Sequence, residues 1–282
     1  MYELMDGKSL AAEIRENVGK EVNNLIATFG KAPHLTVILI GDDPASQTYV
    51  SGKEKACLKT GIKSTIIHKD ISILETELLE LIDSLNMDND VDGILLQLPI
   101  PKHLDQEKIL SQIDPRKDVD GFTPQNVAKL ASGYPDLVPC TPLGIMRLLD
   151  KYRIAVDGRN CVVIGRSQIV GKPMANLLLK ANGTVTICHS HTKDLAGVAR
   201  QADILVVAIG KPKLVDDTFV KAGAVVIDVG TSKVDGKLSG DVDFDKVKDK
   251  TAFITPVPGG VGPMTIACLL ENTITCYKKL RG

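Results

Sequence analysis

Tyr49 and Lys53 stand four residues apart in QTYVSGKEKACLKTG (47–61). The segment reads as a helix, so the phenol and the amine share one face. A lysine drawn into a low-dielectric site gives up its proton more readily and can act as a base or activate water. For Lys53 taken alone, a solvated surface ammonium is the better fit. Gln97 interrupts an otherwise apolar run, GILLQLPI (93–100). A polar side chain there needs a hydrogen-bond partner. That partner is either backbone or part of a site beyond the strand's carboxyl end, where open α/β sheets bind ligands. Asp120 lies in KDVDGF (117–122), and an Asp before Gly is most often a turn residue.

A second chemistry-bearing stretch is NCVVIGRSQIVGKP (160–173). Cys161, Val162, Val163 and Ile164 run into Gly165, and a helical pattern begins at Lys172. A buried strand that ends in glycine and turns into a helix can hold a dinucleotide pyrophosphate. The glycine admits the backbone closely, and the helix N-terminus supplies N–H groups. A ligand-free strand–helix turn fits the same residues. Ser167 occupies the place of the second fingerprint glycine, and Gly171 comes one residue late.

The next strand bears on which nucleotide. An NAD site usually has an acid at its end to accept from the ribose 2′-hydroxyl. Here the chain reads Cys188-His189-Ser190-His191-Thr192, with no acid. Ser190 suits a 2′-phosphate, and Arg166 offers it a planar donor fork. NADP is therefore expected over NAD. His189 and His191, two apart on a strand, are too few for a metal site, and none is expected.

These residues need elements to hold them. An amphipathic helix is expected first, with Leu10, Ile14, Val18, Val22 and Leu25 at helical spacing. Strands at 35–41, 64–70 and 93–100 alternate with helices at 47–61, 74–86 and about 106–113, and Gly61 is a C-cap candidate. That alternation predicts a parallel sheet. Residues 114–122 break it, and 139–152 read as a connecting helix. A second set of strands follows at 161–165, 184–190, 203–210 and 224–230, apolar enough to be covered on both faces. The Pro/Gly-rich turn TPVPGGVGPM (255–264) feeds a last helix over 265–280, with Pro263 near its first turn.

Composition narrows the function classes. A chain of 282 residues has room for two modest domains or one large one. Net charge is −1, so no basic field calls for nucleic acid or an anionic membrane. The absence of Trp argues against base stacking. The six cysteines form no CxxC pair and suit a reducing compartment. The N-terminus has no signal-peptide core, and no apolar run approaches a membrane span. A cytoplasmic address is expected.

Taken together, YVSGKEKACLKTGI (49–62), GILLQLPIPKHL (93–104), DPRKDVDGF (114–122), GRSQIVGKP (165–173) and TPVPGGVGPMT (255–265) resemble the bifunctional methylenetetrahydrofolate dehydrogenase/cyclohydrolase family. The resemblance covers nearly the whole chain. It implies two α/β domains, the second Rossmann-like and NADP-binding, with a folate site in a cleft between them. The expected bounds are 1–139 plus 264–282 for the folate domain and 140–263 for the NADP domain. It implies oxidation of 5,10-methylenetetrahydrofolate to the 5,10-methenyl cation, then hydrolysis to 10-formyltetrahydrofolate. By motif, Lys53 promotes water attack, Gln97 hydrogen-bonds and tunes it, Tyr49 packs on the folate, and Asp120 holds the pterin. Gly165, Arg166, Ser167, Ser190 and Thr231 hold NADP. Gly259, Gly260, Gly262 and Pro263 shape the wall near nicotinamide and pterin. A homodimer is implied, and no formate-ligase domain is expected beyond residue 282. The rival expectations are a monofunctional dehydrogenase and a non-catalytic NADP-sensing module.

Overall fold

The computed structural model describes residues 2–234 and 236–281. In chain order the elements are β1 (Glu3–Leu4), α1 (Gly7–Phe29), β2 (His34–Ile40), α2 (Pro44–Thr60), β3 (Lys63–Lys69), α3 (Glu75–Met87), β4 (Gly93–Leu96), α4 (Gln106–Gln112), α5 (Pro124–Ala131) and α6 (Cys140–Lys151). There follow β5 (Asn160–Ile164), α7 (Gly171–Lys180), β6 (Thr184–Cys188), α8 (Leu195–Ala199), β7 (Ile204–Val207), β8 (Ala224–Asp228), β9 (Ser232–Val234), β10 (Lys237–Ser239), α9 (Phe244–Val247), β11 (Thr251–Ile254) and α10 (Val261–Arg281).

The chain forms two compact units, Ala12–Cys140 with Ile266–Gly282, and Met1–Ala11 with Thr141–Thr265. The sequence reading groups residues 1–11 with the folate domain instead. They differ because β1 pairs in parallel with β11, Glu3 opposite Phe253 and Leu4 opposite Ile254.

The first unit carries a three-stranded parallel sheet in the order β3-β2-β4. Every residue of central β2 is buried. Its Ile38 and Ile40 pack with Ile94 and Leu96 of β4 and with Leu78 and Ile82 of α3. The C-terminal helix closes this unit. The Tyr277 hydroxyl donates to the Lys31 carbonyl at 2.8 Å, and the Arg281 guanidinium meets the buried Asp92 at 2.7 Å.

The second unit carries a six-stranded parallel sheet in the order β1-β11-β8-β7-β5-β6. From β5 the chain runs to β6 on one side and to β7 on the other. That reversal opens a crevice at the carboxyl ends of β5 and β7, the usual ligand position in such sheets. The central strands β5, β7 and β8 are buried, as expected of strands covered by helices. β6 departs from that expectation. It lies at the sheet edge, and Thr184, Thr186 and Ile187 are exposed.

Candidate active site

α2 is started and stopped by local chemistry. The Asp43 carboxylate accepts the Ser46 N–H at 2.8 Å, with Pro44 in the first turn. Gly61, at φ 79, sends its N–H back to the last carbonyls. Between these caps the helix buries Val50, Ala56 and Cys57 and leaves Tyr49 exposed and Lys53 half-buried on one face.

Gln97 is not inside a strand, as the sequence suggests, but is the first residue beyond β4. Its N–H still donates to the Ile38 carbonyl at 2.9 Å. Its side-chain amide donates to the Leu98 carbonyl at 2.7 Å, which fixes the amide so that Oε1 faces away. That oxygen accepts from Lys53 Nζ at 3.0 Å. The helix between β2 and β3 and the end of β4 thus meet where the sheet order reverses.

Asp120 reaches the same corner by another route. Ile94 pairs in parallel with Asp118, and the Ile94 N–H donates to the Lys117 carbonyl at 2.7 Å. Two residues on, Asp120 is level with the end of β4. A Cβ at Gly93 would stand 2.5 Å from Val119 Cγ1, so glycine permits this close approach. Asp118 is held by the Thr123 N–H at 2.8 Å and the Asn126 amide at 2.9 Å. Asp120 itself faces the Cys140 thiol at 3.7 Å. The buried Asn272 amide of α10 donates to the carbonyls of Val119 at 2.8 Å and Val138 at 2.9 Å, tying both sides of this segment together. Cys140 and Asn272 escaped the sequence reading. The one signal for Asn272 is a polar residue inside the apolar run of the last helix, and Cys140 has none.

Burial pushes the Asp120 carboxyl up to about 6, against the pull of the nearby Lys53 charge and with the Asp118 charge assisting. A folded pKa above the unfolded value means that the native state binds the proton more tightly. The associated stability is present below pH 3.8 and is lost as pH rises through about 6. At about 1.4 kcal/mol per pKa unit, the ionised carboxylate costs on the order of 1–3 kcal/mol at neutral pH. Asp120→Asn is expected to raise the thermal midpoint at pH 7.5, with the gain vanishing near pH 4. An equal or lower midpoint at pH 7.5 would contradict the assignment of burial as the dominant cause.

In the second unit, the carboxyl ends of β5, β6 and β7 surround a cavity of about 460 Å³. Gly165, Arg166, Ser167, Ser190, Ile209 and Lys211 are among its lining residues, and among the described residues no carboxylate is. Gly165 is at φ +131, and a Cβ there would lie 2.3 Å from the Ala208 carbonyl oxygen. The helix N-terminus differs from the expectation of free N–H groups. Ser167 Oγ accepts from Val170 and Gly171 at 3.2 and 3.3 Å, and the Ser167 carbonyl accepts from Lys172 at 3.0 Å. Pro173 has no N–H. The first turn of α7 is therefore self-capped, and an anion here meets side chains: the Arg166 guanidinium, the Ser167 and Ser190 hydroxyls and the Lys211 ammonium. Lys211 was not singled out from the sequence, because it follows β7 rather than the glycine turn.

His189 and His191 lie in the turn after β6 rather than on the strand. The His191 N–H donates to His189 Nδ1 at 3.2 Å, and Thr192 Oγ1 accepts the His189 N–H at 2.9 Å, so this loop is braced around Ser190. Thr231 is exposed just after Gly230 and is not among the cavity's lining residues. Gly259 (φ 109) and Gly260 approach the start of α1 closely. The Lys8 N–H donates to the Gly259 carbonyl at 2.8 Å, and a Cβ at Gly7 would lie 1.9 Å from the Gly260 oxygen. Gly262 and Pro263 fall inside the first turn of α10, which begins at Val261 rather than at 265.

Two family models match the chain. Residues 5–120 match the tetrahydrofolate dehydrogenase/cyclohydrolase catalytic domain, and residues 139–281 match the NAD(P)-binding domain of the same family. The bifunctional protein FolD of Agathobacter rectalis is 53% identical over 99% of this chain and 100% of its own length. That of Campylobacter hominis is 56% identical over 98% and 97%. Among solved structures, the bifunctional FolD of Campylobacter jejuni superimposes with a TM-score of 0.97 at 50% identity, covering 99% of both chains. The Trypanosoma brucei dehydrogenase–cyclohydrolase, complexed with NADP cofactor and inhibitor, gives 0.95 at 39% identity, covering 100% of this chain and 99% of its own.

Proposed function

The chain belongs to the tetrahydrofolate dehydrogenase/cyclohydrolase family, and on that premise we propose which of its residues carry the two activities. The enzyme is bifunctional. It oxidises 5,10-methylenetetrahydrofolate to the 5,10-methenyl cation with NADP and hydrolyses that product to 10-formyltetrahydrofolate.

Lys53 serves the hydrolytic half. Water must lose a proton as it adds to the methenyl carbon, and an amine can take it. The observation that carries this assignment is the 3.0 Å bond from Lys53 Nζ to Gln97 Oε1. Because the Gln97 amide is fixed by Leu98, its oxygen takes one N–H of the lysine and directs the rest of the amine elsewhere. Asp120, a half-buried carboxylate, accepts from the amino-pyrimidine edge of the pterin. Tyr49 offers its exposed ring to the aminobenzoyl group. Gly259, Gly260, Gly262 and Pro263 are assigned to substrate binding by their motif. Protein without dinucleotide should hydrolyse methenyltetrahydrofolate well above the buffer rate. Decay at the buffer rate would overturn the assignment and favour the monofunctional reading.

The 460 Å³ cavity suits NADP. The glycine turn leaves no Cβ over the crevice, no acid opposes a 2′-phosphate, and Arg166, Ser190 and Lys211 can meet it. Gly165 and Ser167 lie along the diphosphate, with the Ser167 hydroxyl proton free to donate because its oxygen already accepts two N–H groups. Thr231 is assigned a contact through its backbone. When bound, NADP takes the hydride equivalent from the folate methylene carbon, and the lone pairs of the flanking folate nitrogens drive its departure. The protein orients the two rings.

Six free, buried thiols support a reducing, cytoplasmic address, and no helix among the described residues is long and apolar enough to cross a membrane. Neither nucleic acid nor membrane is a partner in this reading. The open edge at β6, with Ile187 exposed, supports a homodimer. Sedimentation should give twice 30.3 kDa, and a 30.3 kDa species would contradict it.

A further inference from the structure

Two carboxylates lie fully or nearly fully buried behind the cofactor cavity, and the chemistry described so far uses neither. Asp241 is 0% exposed and Asp228, at the end of β8, is 4% exposed. Asp241 Oδ2 accepts the N–H groups of both Ile209 and Gly210, at 2.8 and 2.9 Å. Those two residues form the turn after β7, between Ala208 and Lys211, and Ile209 lines the cavity. Asp228 in turn fixes Asp241. Its oxygens accept the backbone N–H groups of Asp241 and Val242 at 2.9 Å, and that of Gly230, beside Thr231, at 2.9 Å.

The packing leaves no room for a side chain at either flanking glycine. A Cβ on Gly230 would lie 2.4 Å from Asp241 Cγ, and one on Gly240 would lie 1.9 Å from Asp228 Oδ2. Asp241 Oδ1 is buried with no hydrogen-bond partner among the described residues. An unpaired buried carboxylate oxygen is costly, and burial together with the Asp241 charge pushes Asp228 up to about 6. Such costs are tolerated where a specific geometry is required.

We propose that Asp241 is a positioning residue for the cofactor. Through Ile209 and Gly210 it sets the wall of the dinucleotide cavity, and through Asp228 it ties that wall to the Gly230–Thr231 turn. The proposal rests on the cavity being the NADP site. Asp241 acts as a double acceptor at one oxygen, so its amide isostere can replace it and a shorter side chain cannot.

The test compares Asp241→Ala with Asp241→Asn in the full-length chain. NADP affinity is read by titration, and cyclohydrolase activity is read on the methenyl compound without dinucleotide. Asp241→Ala is expected to weaken NADP about tenfold or more and to raise the dehydrogenase KM for NADP in step. Hydrolysis, assigned to the other unit, stays within about twofold. Asp241→Asn restores NADP affinity to within about threefold. If the alanine variant does not fold, Asp241→Ser, too short to reach both amides, is expected to show the same loss. An alanine or serine variant that binds NADP as tightly as wild type overturns the proposal. So does an asparagine variant as impaired as alanine, or equal loss of both activities. Wild-type protein that binds no NADP would overturn the cavity assignment as well, which separates the two failures.

Discussion

Lys53→Met is expected to fold normally, to keep most of its dehydrogenase activity and to lose cyclohydrolase turnover by about 10²–10⁴, the usual contribution of a positioned acid–base group. Methionine matches the lysine stem in length and packs on the same half-buried face of α2. What it removes is the nitrogen 3.0 Å from Gln97 Oε1. Gln97 is itself only half-buried, so its oxygen can turn to water, and the structural cost stays near 1 kcal/mol. The two reactions make different demands. Loss of hydride from the methylene carbon releases no proton, and it requires two rings held in register. Addition of water releases a proton and requires somewhere to put it. The assay measures both rates on the same preparation, with folate affinity as a control. Equal loss of both activities at unchanged folate affinity would sink the division of labour. Asp120→Asn should show the opposite separation, weaker folate binding with a more stable protein.

Arg166→Ala has the second largest expected effect. The guanidinium lines a cavity with no carboxylate among the described residues, on a turn whose helix N–H groups are already taken by Ser167. Side chains therefore carry the anion, and among them Arg166 alone offers a planar, paired donor fork. Charged hydrogen bonds contribute about 1.5–3 kcal/mol each. The variant should bind NADP roughly 10–100-fold more weakly and bind NAD within about threefold of wild type. Titration with both dinucleotides reads the ratio. An unchanged NADP-to-NAD preference would move the 2′-phosphate away from Arg166, toward Ser190 and Lys211.

Much of this was legible because single residues decide local structure in ways a pattern exposes. Gly61 ends α2, as its place after a helical run implies, and the strand ending at Gly165 is where its apolar run puts it. The resemblance carried Lys53 and Gln97 to each other across 44 residues of chain, a contact that periodicity could not supply. Other features stayed hidden for identifiable reasons. β11 has four residues and β1 two, too short for a period to register, and their pairing moves residues 1–11 into the second unit. α5 begins at Pro124, in the stretch between 122 and 139 where the pattern suggests no element. β6 looks like its buried neighbours, because edge and centre are decided by sheet order, which a single strand does not encode. Ser167 reads as a phosphate ligand, and its oxygen is found capping the helix. Asp241 and Asn272 act on backbone groups distant in sequence, and no local pattern names those partners.

Oxidation of the methylene carbon and hydrolysis of the product by one chain can be followed together in a single cuvette holding the protein, 5,10-methylenetetrahydrofolate and NADP. Absorbance of reduced nicotinamide and of the methenyl cation are followed together. Reduced nicotinamide is expected to rise while the methenyl compound stays at a low steady level and 10-formyltetrahydrofolate accumulates. Methenyl accumulating in step with reduced nicotinamide, and decaying only at the buffer rate, would contradict it. So would the absence of any reduction, which would leave a dinucleotide-binding module without the chemistry.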